Sequence, residues 1–361
     1  MNYLIGIERE GFRIDGDGNM AMTPHPAEFG DKTENSLIGT DFGEPMIELR
    51  TPPCPDAKSC YKALSDVTCH VLGILFDKGE FIWPYSLPYK VPDEEHFPYN
   101  SYPGRQDWED YERILTKVYG LWHNCISGIH VSFSVGDKAL REMREIYPNV
   151  PQDKDEAYFR CARQIIKHEK ALRHFFDASP TDYAGTLTED SSFRNSPEGY
   201  RNEKFKKLDY GSKEAYARTL PLTQRYERLG PVRLKGCDKY NYDVSVISDG
   251  VERLEFRLCD IDPFDICGIS QNEIQLTAAV IASCMVCDDM PNDPAKILKV
   301  CADVDSRLCL GTADAIDFYM EREKQGITKS GIVRRFIAEK GYQGFLELAV
   351  QYGKYKGDLT F

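Results

Sequence analysis

The chain has 361 residues, 42% apolar and 29% charged, with a mean hydropathy of -0.47; intrinsic disorder, collagen and a multi-pass membrane protein are all excluded. Against 45 Lys and Arg stand 58 Asp and Glu, and the net charge of -13, with no basic patch to offset it, repels nucleic acid and anionic bilayers. The length fits one large domain or two ordinary ones; no repeat or low-complexity linker marks a boundary, so residues 1–361 are expected to form a single domain.

In chain order, strand-like alternation covers residues 3–13 and 45–51. A helical stripe of Tyr61, Leu64, Val67, Val71 and Leu75 follows, then a second of Trp108, Tyr111, Leu115, Val118 and Trp122. Alternation returns at 127–135, a third stripe runs through Tyr158, Cys161, Ile165 and Leu172, and a last strand pattern covers 251–260. From about residue 270 the pattern is helical almost to the end, broken at Gly311, Gly326, Gly341 and Gly353. This predicts an α+β fold in which a mainly antiparallel sheet is covered by helices and followed by a helical C-terminal third. Two long connections, 84–105 (rich in Pro and Tyr) and 177–202, have the Arg and Tyr content expected of binding loops.

The longest uncharged apolar stretch, 276–287, is about 12 residues, against roughly 20 needed to cross a bilayer. Residues 1–4 lead directly into charged residues, so neither a membrane span nor a signal peptide is expected, and the location is read as cytoplasmic. The twelve cysteines lack framework spacing and are read as reduced thiols; the one CxxC, Cys284 to Cys287, falls in an apolar helical run and is read as a buried face. Gly16-Asp17-Gly18 mimics a dinucleotide fingerprint, but Pro24 falls within the helix it would need to open. The same stretch, starting at Asp15, fails as a calcium loop because Met20 and Pro26 hold its sixth and twelfth positions, so it is read as a hairpin turn. No phosphate loop of the GxxxxGK[ST] type occurs.

Side chains two apart share a strand face, so Gly6, Glu8 and Glu10 stand opposite Ile5, Ile7 and Arg9. Likewise Met46, Glu48 and Arg50 oppose Ile47 and Leu49, with Asp41 just upstream. Gly128, His130, Ser132 and Ser134 oppose Ile129, Val131 and Phe133, and Glu255, Arg257 and Cys259 oppose Leu254, Phe256 and Leu258. Solvated strand faces are usually rich in Lys, Thr and Ser; these carry Glu, His and Arg. If the strands share a sheet, Glu8, Glu10, Asp41, Glu48, His130 and Glu255 crowd into one surface that only cations make tolerable, and such oxygen-rich sets suit Mg2+ or Mn2+. Metals at such a sheet commonly hold phosphate oxygens, which points to phosphoryl transfer from ATP with Arg257, Arg194 and Arg201 as candidate donors to the developing charge.

Beyond these faces, GIERE (6–10), TPHPAEFGDK (23–32), TDFGEPMIELRTPP (40–53), WPYSLP (83–88), ISGIHVSFS (126–134), FDASP (176–180), SFRNSPEGYRN (192–202), PVRLKG (231–236) and VERLEFRLCDIDPFDICGIS (251–270) occur in one order. In these segments the chain resembles the glutamate-cysteine ligase family, the bacterial type that also forms the N-terminal part of bifunctional glutathione synthases. The resemblance implies a glutamine-synthetase-like active-site sheet. On it, ATP phosphorylates the γ-carboxylate of glutamate, and an amino acid amine attacks the acyl phosphate to give ADP, phosphate and an amide, with cysteine as the expected acceptor. It implies metal binding by Glu8, Glu10, Asp41, Glu48, His130 and Glu255 and a catalytic role for Arg257 and Glu255. It also implies contact of Arg194 and Tyr200 with amino acid substrates and of Arg233 and Lys235 with the nucleotide, and Arg201 is expected to bind substrate or nucleotide. Ser132 departs from the Asn that close relatives often carry, and FDASP from their FGASP.

Two rival readings remain at this level: the same chemistry with a different acceptor or donor, and a catalytically silent nucleotide-binding protein. Costly crowding of charge argues against silence. Glu255→Gln is expected to lose activity far more than stability, since the fold would lose a repulsive charge. Oligomeric state is not legible.

Overall fold

The computed structural model describes residues 1–102, 106–200, 208–223, 230–237 and 248–355; Arg201 and parts of both long connections fall outside them. Its centre is an antiparallel sheet of β1 (Leu4–Asp15), β2 (Ile38–Thr40), β3 (Met46–Arg50), β5 (Ile129–Ser134), β6 (Val232–Lys235) and β7 (Arg253–Cys259) in the order β2-β3-β1-β5-β7-β6, with β4 (Glu80–Ile82) paired to the far end of β1. The expected strand segments are all present; β2, β4 and β6, three or four residues each, are too short to show a period of two.

Ile5, Ile7, Ile129, Val131, Phe133, Leu254 and Phe256 are at most 1% exposed and form the apolar face. Against it lie α1 (Ala57–Asp77), α5 (Lys154–Lys167), α6 (Glu169–Phe176) and α8 (Gln271–Val286). The first of these starts where Asp56 accepts the Ser59 N–H, and α8 where Ser270 accepts the Glu273 N–H. Residues Ile274 and Leu276 to Val286 of α8 are buried all round, which places Cys284 inside the core as expected. Beyond it come α9 (Pro294–Leu308), α10 (Ala313–Lys324) and α11 (Lys329–Gly353), the last kinked at Gly341. Among the described residues, which include every cysteine, no disulfide forms, and no helix is long and apolar enough to cross a membrane.

Three expectations need correction. The second helical stripe breaks: α2 (Gln106–Tyr119) stops at Gly120, whose φ is 85°, so Trp122 belongs to the short α3 (Leu121–Asn124), while Val118 is exposed. Glu112 and Thr116 turn inward instead. The Pro- and Tyr-rich connection is in large part core: Tyr85 stacks on Phe345 of α11 at 4.5 Å, and Trp83, Tyr89 and Tyr342 stack on one another. Finally, Cys259 is not on the polar face. The extra residue of a β-bulge between the pairs Ile129–Cys259 and Val131–Phe256 reverses the alternation and turns its sulfur toward Thr277 of α8.

Candidate active site

Residues opposite one another in antiparallel strands share a face, so register alone sets out the polar surface in rows. Glu8 is flanked by Arg50 and His130, and Glu10 by Glu48. One step along, Gly6, Ser132, Glu255 and Arg233 form a row across four strands, and beyond it come Leu4, Ser134 and the pair Arg253 and Lys235. Asp41 joins from the loop after β2, where its N–H bonds the Met46 carbonyl at 3.1 Å. That loop is held by Gly43, whose φ of 72° suits glycine and where a Cβ would come within 2.6 Å of the Phe97 ring, which leaves no room for a side chain. Buried Glu112 accepts the N–H groups of Gly43 and Asn100 at 3.0 and 2.8 Å, and Asn100 bonds the Asp41 carbonyl. Glu112 and Asn100 were missed from the sequence, since nothing local links a helical glutamate to a turn about 70 residues away.

The six expected ligands therefore meet on one surface. One ligand atom each from Glu8, His130 and Glu255 lies within 4.8 Å of the others. The His130 Nδ1 is 3.6 Å from Glu8, and its buried Nε2, 3.7 Å from Glu10, has no hydrogen-bond partner among the described residues. Burial and the Arg257 charge lower the His130 pKa to about 4, so the imidazole is neutral and carries a lone pair. Burial and the charge of Asp41 raise Glu10 to about 8; burial, opposed by Arg50 but reinforced by Glu8 and Asp41, raises Glu48 to about 7. Two ionised carboxylates with a neutral imidazole, beside two carboxyls that repel one another, form a donor set suited to hard divalent cations.

Basic residues border this cage. Arg257 pairs with Glu255 and lies 3.2 Å from the His130 Nδ1; Lys235 is 2.9 Å from the other Glu255 oxygen. Burial opposes ionisation of Glu255, yet Lys235, Arg257, His130 and Arg233 hold its pKa well below the usual carboxylate range. The ion pairs to Arg257 and Lys235 count against repulsion as the reason for the Glu255→Gln expectation: that variant would leave buried cations without their partner and is expected to lose stability as well as activity. Below Gly6 and Glu8 the same face opens into a cavity of about 240 Å³, floored by Gly6, Ser132 and Ser134 and walled by Arg50, Thr51 and Arg253.

Arg194 and Tyr200 lie beside Glu10, with polar groups bonded to backbone carbonyls. Arg194, 1% exposed, donates to the Arg257 carbonyl at 3.0 Å and stacks under Gly128, where a Cβ would come within 2.3 Å of its Nη2. Tyr200 donates its hydroxyl to the Ile126 carbonyl at 2.8 Å. The 177–196 segment is in large part a buried network, with Asp177 bonded by Arg173, Ser191 and Asn195, and Asp260 by the Ala178 N–H and Ser179. Arg201 lies outside the described residues.

Residues 1–230 match the family model of glutamate-cysteine ligase. The chain is 33% identical over 298 residues to a glutathione biosynthesis bifunctional protein of Clostridium perfringens, a match covering 75% of this chain and 38% of that protein. It is 30% identical over 344 residues to a glutamate-cysteine ligase of Clostridium acetobutylicum, covering 78% and 71% respectively. The chain thus spans about two fifths of the bifunctional relative. In fold it resembles a bifunctional glutathione synthetase from Pasteurella multocida, with TM-score 0.84 at 23% identity over 98% of this chain and 52% of that one. It also resembles a glutamate-cysteine ligase from Francisella tularensis solved in complex with AMP, with TM-score 0.81 at 20% identity over 99% and 90%. With the sheet, its register and these likenesses in agreement, the chain belongs to the glutamate-cysteine ligase family.

Proposed function

We propose that the chain is an ATP-dependent glutamate-cysteine ligase that makes γ-glutamylcysteine in the cytoplasm, with residues 1–361 acting as one unit and residues 271–353 buttressing the back of the sheet. The observation that carries this reading is the acid cage around His130, which needs cations and opens on the same face into the 240 Å³ cavity. Mg2+ or Mn2+ held by Glu8, Glu10, Asp41, Glu48, His130 and Glu255 would neutralise the phosphate oxygens of ATP.

The small floor of Gly6, Ser132 and Ser134 leaves room for the nucleotide, while Arg253, Arg233 and Lys235 offer donors to its phosphates. Arg257 stabilises charge on the phosphoryl group as it passes to the γ-carboxylate oxygen of glutamate. The cysteine amine then attacks the acyl carbon; phosphate leaves, and the amine proton passes to solvent or a nearby carboxylate. Arg194 acts here as a strut against Gly128 and the end of β7 on the cage side of the sheet, and Tyr200 packs beside it.

The test is incubation with ATP, Mg2+ and glutamate, with and without a panel of amino acids, followed by mass spectrometry of nucleotide and amide. ADP together with γ-glutamylcysteine is expected. AMP in place of ADP would end the acyl phosphate route, and an amide formed only with another amine would reassign the acceptor.

A further inference from the structure

Two strands of the cage carry the same short pattern, Glu48-Leu49-Arg50 on β3 and Glu255-Phe256-Arg257 on β7. In each, acid and arginine are two apart, hence on one face, and the arginine folds back on its own glutamate. The Arg50 Nε is 2.7 Å from Glu48, and Lys235 reaches Glu255 from the neighbouring strand. Side-chain cations of the chain itself therefore sit on the carboxylates that the ligase reading gives to divalent ions.

The contact at His130 makes the consequence definite. A guanidinium can only donate, so Arg257 at 3.2 Å engages the Nδ1 lone pair in the tautomer that carries its proton on Nε2. A neutral imidazole has one lone pair. A cation bound at Nδ1 takes that lone pair directly; a cation bound at Nε2 moves the proton to Nδ1, where it faces a second donor. Whichever nitrogen is used, Arg257 loses its acceptor on His130.

We propose that Arg50, Lys235 and Arg257 are exchangeable counter-cations: they neutralise Glu48 and Glu255 until divalent ions arrive, and are then released toward the phosphate oxygens of the nucleotide. The second half of this rests on the ligase reading; the first half does not. Loading of the cage thereby delivers the phosphoryl-facing arginine, so the catalytic set is assembled by the same event that binds the metal.

The test is Mn2+ binding to the nucleotide-free protein, followed by electron paramagnetic resonance, for Lys235→Met and Arg257→Met. Arg253→Met serves as control, since Arg253 lies on the same face but bonds the Gly236 carbonyl at 3.5 Å. Lys235→Met and Arg257→Met are expected to tighten Mn2+ about ten-fold, and Arg253→Met less than about two-fold. Both tightened variants are expected to bind Mn-ADP more weakly than the wild type. Equal tightening by all three would reduce the effect to net charge and overturn exchange, as would weaker Mn2+ binding in folded Lys235→Met. Lys235→Gln, at the more exposed rim, serves if a methionine variant does not fold. Mn2+ tightening without any nucleotide binding would sink the ligase reading while leaving the exchange intact.

Discussion

Two buried polar clusters adjoin along β7, one around Glu255 and Arg257 and the other just past its C-terminal end, around Asp260. In the 177–196 segment most of the buried polar groups are met within the chain: Asp177 is held by Arg173, Ser191 and Asn195, Asp260 by the Ala178 N–H and Ser179, and Arg194 lies 3.6 Å from Asp260, with the Asp260 Oδ1 and the Arg194 Nε left without a hydrogen bond among the described residues. The cage is different. Five carboxylates converge there, burial and the neighbouring acids push Glu10 and Glu48 up, and the His130 Nε2 has no partner among the described residues. A closed network rigidifies a fold, whereas one left open stores unmet demand that a ligand can satisfy.

The sharpest way to break this contrast is Glu10→Gln. We expect amide formation to fall about 10⁴-fold, or about 5 kcal/mol of transition-state stabilisation, as measured by product mass spectrometry. Stability should move the other way. The folded Glu10 pKa of about 8 exceeds its unfolded value of 4.5, so the native state holds the proton longer and loses stability as pH rises from about 4.5 through 8. A neutral glutamine escapes that loss, and the cation-free variant should resist urea better than the wild type above pH 8. A destabilised variant would place Glu10 in a closed network.

Asp260→Ala should do the reverse of Glu10→Gln in the closed cluster. It strands the Ala178 N–H, the Ser179 hydroxyl and Arg194, and should cost about 4 kcal/mol in urea unfolding. A loss under about 1 kcal/mol would show that the network is not what anchors the segment.

Behind the sheet, burial raises the Asp265 pKa to about 7 although Cys267 and Tyr61 hydrogen-bond it. The native state again holds the extra proton, so stability falls as pH rises from about 4 through 7. Asp265→Asn should remove about 3 kcal/mol of that fall between pH 5 and 8, followed by thermal melts. Parallel curves would contradict it. The smallest effect is expected from Gly128→Ala, about 2 kcal/mol of overpacking against Arg194, measured by the same melts.

How far the site could be read from the sequence follows from range. Glu8, Glu10, Glu48, His130 and Glu255 were legible because a strand's period of two assigns a face without any knowledge of the neighbour. Cys259 was misassigned by the same rule, since a bulge is a property of the strand pair and one extra residue flips parity. FDASP and SFRN resembled binding loops because buried networks and binding sites draw on the same Asp, Ser, Asn and Arg; only their partners tell them apart.

The sequence by itself determined the α+β class, the polar and apolar faces of the long strands and the family, since each of these rests on local periodicity or on motifs in order. Tertiary structure alone decided that Arg257 and Lys235 sit on Glu255, that Glu112 and Asn100 shape the Asp41 loop, and that Arg194 donates to the Arg257 carbonyl. The physical reason is that charge is felt through space. Whether a buried carboxylate is satisfied or in want of a cation depends on groups as far as 247 residues away in the chain, as Arg257 is from Glu10, and only the fold brings them together.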